Sequence, residues 1–216
     1  MDTLSLLYDF GIDAENRRIY FVDNINENNL EVVMKAIHIF NTDEHRRCEP
    51  IEVFICSNGG LVDVMFALYD LFRSSASPIH TIITGSCCSA AGLVAMSGHL
   101  RFATENSFFM HHAIKAFSED LNDSELSARA EVIKEMASKT YDLMGLHSKK
   151  AKSWWKKQTE QQGETWLTPV QMLEYGVIDE IIKNPILKKK RTPSKRKAVR
   201  KKVVKKQVVK QKKKDD

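Results

Sequence analysis

Residues 51–70, IEVFICSNGGLVDVMFALYD, carry the reading that decides the fold. Ile51 to Cys56 is a β-rich run, Ser57-Asn-Gly-Gly60 is a turn, and Leu61, Val64, Met65, Leu68, Leu71 and Phe72 then recur along one helical face. Strand, glycine turn and helix make a βα unit. A second unit follows: Ile79 to Thr84 repeats the strand signal, Gly85 breaks it, and the small-residue segment Ser89 to Ser97 suits a helix packed closely on its neighbours. Upstream, Arg18 to Val22 predicts a strand, and Leu30, Val33, Met34, Ile37 and Phe40 predict a helix behind an Asn29 cap. Downstream, Phe102 to His112 reads as one or two short strands. A long helix then carries Leu126, Ile133, Met136, Thr140, Leu143, Met144 and His147 on one stripe. Thr168-Pro169 caps a short helix that Gly176 ends, and Val177 to Ile182 returns as a strand. Alternating strands and helices predict an α/β fold with parallel pairing and right-handed crossovers.

The chain has 216 residues, 43% of them apolar, enough for a packed domain. Its formal charge of +5 hides a sharp asymmetry. Lys188 to Asp216 holds 16 of the 33 basic residues and two acidic ones, leaving 17 basic against 26 acidic in Met1 to Leu187, a net charge of −9. The expected organisation is therefore one acidic folded domain, 1–187, ending structurally near Pro185, and a Lys/Arg-rich disordered tail, 188–216, too poor in apolar residues to build a core. Cys48, Cys56, Cys87 and Cys88 form no CxxC pair and no metal-ligand spacing, so reduced thiols in a cytoplasm are expected. Met1-Asp2-Thr3 opens no secretory or transit signal. The stretch Ser74 to Gly98 lacks Asp, Glu, Lys and Arg, but Pro78, His80, Gly85 and its serines mark it as buried core rather than a membrane span.

Ligands of parallel α/β units gather at the carboxyl ends of the strands, where both glycine-bearing turns lie. Gly59-Gly60 admits a ligand oxygen to backbone N–H groups, and Ser89 stands where the next helix begins. Neither turn has the Lys-Ser/Thr of a phosphate loop, and no GxGxxG occurs, which disfavours nucleotide binding. A serine nucleophile needs a base, and His111-His112 ends the strand-like run Phe108 to Met110; alternation lets only one of the two face the site. A third group should orient that imidazole, and Glu164 is an acid able to fold back to it. Each residue alone also has an ordinary explanation: a turn, a helix cap, a strand end, a solvated surface.

Together, from about Arg18 to Ile182, these residues resemble the ClpP family, the proteolytic subunits of the Clp protease. Ile55-Cys-Ser-Asn-Gly-Gly60 is similar to its INSPGG turn, and Ala67-Leu-Tyr-Asp70 to the IYD that follows. Gly85-Ser-Cys-Cys-Ser89 is similar to its GxxxS, Asn106-Ser-Phe-Phe-Met-His-His112 to NSxxMxH, Asp142-Leu-Met-Gly-Leu-His147 to the LxxLH of a ring-packing helix, and Glu174-Tyr-Gly-Val-Ile-Asp179 to EYGLID. The resemblance implies a crotonase-like α/β fold of repeated β-β-α units. It implies serine endopeptidase activity through an acyl-enzyme, with Ser89 as nucleophile, His112 rather than His111 as base, Glu164 as triad acid, and the N–H groups of Gly59 and Ala90 as oxyanion hole. No metal or organic cofactor is implied. Expected partners are peptide or unfolded-protein substrate, other copies of the chain in a homo-oligomeric ring, and an AAA+ unfoldase for ATP-dependent proteolysis.

Five positions depart from the family pattern: Asn58 for proline, Cys87 and Cys88 for two alanines, Ala90 for methionine, and Glu164 for aspartate. Asn58, the vicinal cysteines and Glu164 motivate one alternative, a catalytically inactive scaffold or regulatory subunit of the same fold. Another is an acyl-CoA enzyme using only the oxyanion pair. Either vicinal cysteine is also a nucleophile by type, though the register of the resemblance turns both away from the base. Trp154, Trp155 and Trp166 are expected to anchor packing. The tail has the charge to bind nucleic acid or an acidic protein, or to serve as a solubilising extension.

Overall fold

The computed structural model describes residues 3–115 and 122–183. The expected tail and the Pro185 boundary lie outside the described residues. In chain order the elements are α1 (Thr3–Phe10), β1 (Ile12–Asp13), β2 (Arg18–Phe21), α2 (Glu27–Thr42), β3 (Ile51–Ser57), α3 (Val62–Arg73), β4 (Ile79–Cys88) and α4 (Ala90–Met96). Then come β5 (Leu100–Thr104), β6 (Phe108–His112), α5 (Asp123–Leu146), α6 (Lys152–Gln162), β7 (Glu164–Leu167), α7 (Pro169–Tyr175) and β8 (Glu180–Ile182). Among the described residues no helix is long and apolar enough to cross a membrane.

Alternation in β3 explains the layering. Ile51, Val53 and Ile55 are buried with Ile79 and Ile83 of β4, the inward residues Val33, Ala36, Ile37 and Phe40 of α2, and Val64, Met65, Leu68 and Phe72 of α3. The opposite face of the sheet carries cross-strand pairs: Arg18 bonds Glu52 at 2.7 Å, and Tyr20 stacks on Phe54 with centroids 5.1 Å apart. β3 is thus covered by helices on one face and half-exposed on the other.

Strands run in the order β1-β2-β3-β4-β5-β8, with β2, β3, β4, β5 and β8 mutually parallel. The long strand β4 serves two partners. His80–Ile83 pairs with β5, and Ser86–Cys88 pairs with β6, which in turn takes β7 antiparallel. Gly85 was expected to end the strand. Instead it sits at φ +66 in an irregularity of the β3–β4 register between Ile55 and Ser57, and the strand continues to Cys88. A bulge bends a strand without ending it, and here it redirects the end of β4 from β5 to β6.

Two other expectations are corrected locally. The cap of α2 is Asn26, whose side chain accepts from the Asn29 N–H at 2.9 Å; of two asparagines three residues apart, the first has the extended backbone that a cap requires. In α5 only Thr140 and Met144 of the expected stripe are buried, with Tyr141 beside them, so the N-terminal part of that helix is left uncovered. Thr168, Pro169 and Gly176 bound α7 as expected, with a capping box between Thr168 and Gln171 and Gly176 left-handed at φ +75.

Candidate active site

Ser89 joins the end of β4 to α4 with φ +55 and ψ −124, a conformation costly for a residue bearing a side chain. Two constraints hold it. Its N–H donates to Met110 O at 2.7 Å, tying the turn to β6, and all seven residues of α4 are buried behind it. The strained turn presents Oγ toward β6, where His112 Nε2 lies 2.8 Å away.

The strand period separates the two histidines. His111 is 6% exposed, with its ring edge-on to Tyr141 and Trp155, whereas His112 on the opposite face meets Ser89. Burial pushes His111 down to about 4. His112 is lowered too, first by desolvation and then by the nearby Lys115 cation, with Glu164 acting in the opposite direction. A lowered value favours the neutral imidazole, the state in which it accepts a proton.

Glu164 stands directly across the β6–β7 ladder from His112. Its Oε2 accepts from Trp166 Nε1 at 2.9 Å, while His112 Nδ1 is buried without a hydrogen-bond partner. The acid expected at the site is therefore adjacent to the base but turned along its own strand. Trp166, expected to be a packing anchor, is 51% exposed; Trp155, wholly buried, is such an anchor.

The glycine turn closes the other side. Ile25 N–H donates to Gly59 O at 2.9 Å, and Leu61 N–H donates to Ile25 O at 3.0 Å. This bridge turns the Gly60 amide away from Ile25, and a Cβ on Gly60 would lie 2.1 Å from Ile25 O, so the position tolerates no side chain. The Gly59 N–H, expected to be an oxyanion donor, is instead donated to Ser57 Oγ at 3.1 Å, because the turn folds back on its own serine. Among the described residues the amides of Gly60 and Ala90 have no protein acceptor, and a Cβ on Gly59 would lie 3.0 Å from Ala90 N. Sequence reasoning named the Gly59-Gly60 turn but had no means of separating its two amides, because the two glycines of SNGG are indistinguishable by type.

A cleft of about 510 Å³ runs past Ser89 and His112, lined also by Gly60, Leu61, Ile114 and Lys115. Cys87 and Cys88 are both buried behind the turn, and burial raises both thiols, Cys87 strongly; each stays protonated and is a poor nucleophile. Among the described residues no group of three or more His, Cys, Asp or Glu is arranged to hold a metal ion. The arrangement is suited to attack by an activated hydroxyl on a carbonyl carbon held in the cleft.

The Clp protease family profile matches residues 8–185. The ATP-dependent Clp protease proteolytic subunit 1 of Rhodopirellula baltica is 30% identical over 172 residues, covering 78% of this chain and 73% of its own. Proteolytic subunit 2 of Treponema denticola is 28% identical over 174 residues, covering 78% and 82%. Among solved structures, a ClpP1 mutant of Listeria monocytogenes superposes with a TM-score of 0.71 at 22% identity, covering 80% of this chain and 95% of its own, a likeness of fold. The α/β architecture, the match over most of the chain and the shared sequence identify this protein as a member of the Clp protease family.

Proposed function

We propose that the chain is a serine endopeptidase that cleaves peptide bonds through an acyl-enzyme. The observation that supports this most directly is the 2.8 Å approach of Ser89 Oγ to His112 Nε2 at the mouth of the cleft. In this reading Ser89 Oγ attacks the scissile carbonyl carbon as its proton passes to His112 Nε2. The tetrahedral oxyanion forms between the N–H groups of Ala90 and Gly60, His112 returns the proton to the departing amine, and water then attacks the ester with the same histidine as base. Glu164 stabilises the imidazolium after turning its carboxylate to Nδ1. Gly59 acts indirectly, by letting the turn pack against Ser89 and Ala90.

The names of the relatives describe proteolytic subunits of an ATP-dependent protease. By that likeness the chain works as one subunit of a homo-oligomeric ring in the cytoplasm, fed with unfolded protein by an AAA+ unfoldase. The bond between Glu164 and Trp166 favours a second reading, an inactive scaffold of the same fold.

Labelling of the assembled protein with a fluorophosphonate, beside a fluorogenic peptide assay, separates the two. The wild type is expected to be labelled at Ser89, and Ser89→Ala to lose both the label and about 10,000-fold or more in turnover. An unlabelled Ser89 in a folded assembly would establish the scaffold.

A further inference from the structure

We propose that Trp166 is a positioning residue that tunes His112 by competing with it for the carboxylate of Glu164. This rests on the triad reading above. Three observations carry it. Glu164 and His112 are direct partners across the antiparallel β6–β7 pair, so their side chains share a face and rotation of one side chain brings the carboxylate to Nδ1. His112 Nδ1 is buried and unbonded, the state in which a polar nitrogen gains most from a new acceptor. The carboxylate paired across from it is turned elsewhere, since Glu164 Oε2 takes the indole N–H of Trp166 at 2.9 Å, two residues along the same strand and on the same face.

The extra methylene that distinguishes glutamate from aspartate gives this carboxylate the reach to serve either donor. On Trp166, it leaves the His112 tautomer unfixed and the imidazolium without its counter-charge. On His112, it fixes the Nδ1–H tautomer and stabilises the protonated ring that forms as Ser89 attacks. The ionisable groups around His112 are Glu164 across the ladder, Lys115 beyond the end of its strand and His111 beside it; Cys88 of β4 interacts with Glu164 as a protonated thiol. Of these, Glu164 is the anion, so its position decides the support the imidazolium receives.

Trp166→Phe removes the N–H and keeps a ring on a half-exposed site, and Trp166→Leu provides a second deletion should the phenyl ring repack. The full-length assembly is read by NMR titration of ¹³C-labelled imidazole and by kcat and KM against pH. Trp166→Phe is expected to raise the His112 pKa by about 1 unit. The acidic limb of kcat/KM should move up with it, and kcat should rise several-fold with KM unchanged. In a Glu164→Gln background the same substitution is expected to change none of these. An unshifted His112 in both Trp166 variants, or an equal shift when Glu164 is already glutamine, would overturn the proposal. The titration does not depend on turnover: a shift in an assembly that hydrolyses nothing would sustain the competition while sinking the hydrolytic reading.

Discussion

Ser89 shows how a single residue can be held in a costly conformation by its surroundings. The φ of +55 at a non-glycine costs about 1 to 3 kcal/mol. Its N–H bond to Met110 O and the buried helix behind it leave little room to relax, and the strain aims Oγ at His112. The charge on Lys115 acts on the same pair from outside. Neutral imidazole is the base, and the lowered pKa of His112 therefore extends its working range below the ordinary histidine value. Desolvation is the larger cause and survives any change at Lys115, whereas the repulsion from the ammonium does not. Lys115→Ala is thus expected to raise the His112 pKa, shifting the acidic limb of kcat/KM upward by about half a unit. Lys115→Glu should shift it further the same way. The pH profile of peptide hydrolysis checks this, and a downward shift would contradict the sign.

At the scale of the element, β6 divides two histidines between two tasks, and its inward one carries a stability cost in acid. His111 titrates near 4 in the folded chain and near 6.5 when unfolded, so the unfolded state binds the extra proton first. The stability of the neutral buried ring is fully present above about 6.5 and is lost as pH falls toward 4, by about 3 kcal/mol if the whole shift is realised. His111→Phe keeps an aromatic ring against Tyr141 and Trp155 and removes the titration. The drop in urea midpoint between pH 7.5 and pH 5 is expected to be smaller in this variant. The strands that bear these residues differ in how legible they were. β3 and β6 announce themselves through β-branched and aromatic residues, and the helix stripe after SNGG through its period. β7 did not, because Glu164-Thr-Trp-Leu167 is too short and too polar to signal a strand until its pairing with β6 supplies the context. For the same reason Glu164 was identifiable as an acid near the site, while the indole that holds it was not. α6, rich in Lys and Gln, is packed through Trp155 and Thr159, too few apolar positions to reveal a period. Gly85 signalled a break, but breaking a strand and bending it use the same left-handed glycine.

At the scale of the whole molecule, α5 is longer than the body needs. Twenty-four residues extend about 36 Å, yet only Thr140, Tyr141 and Met144, near its C-terminal end, are buried. The Asn122 capping box holds the far end, and Leu126 and Val132 stay 47% and 53% exposed. Helices in proteins owe most of their stability to packing of one face, so a long uncovered length with apolar residues on it is expected to be covered in the working molecule. In the ring proposed above, the cover is another copy of this chain. Native mass spectrometry of the full-length protein is expected to give an integral multiple of the 24.7 kDa chain. Replacing Leu126 and Val132 together with Glu should shift the distribution toward smaller species, because each glutamate would have to leave water at the contact. Both positions are solvent-exposed in the single chain, so the isolated subunit should keep its circular dichroism spectrum and the disassembly cannot be ascribed to a disrupted core. A wild-type monomer at micromolar concentration, or a double variant that retains the wild-type mass, would place the contact elsewhere and leave the exposed length of α5 without this explanation.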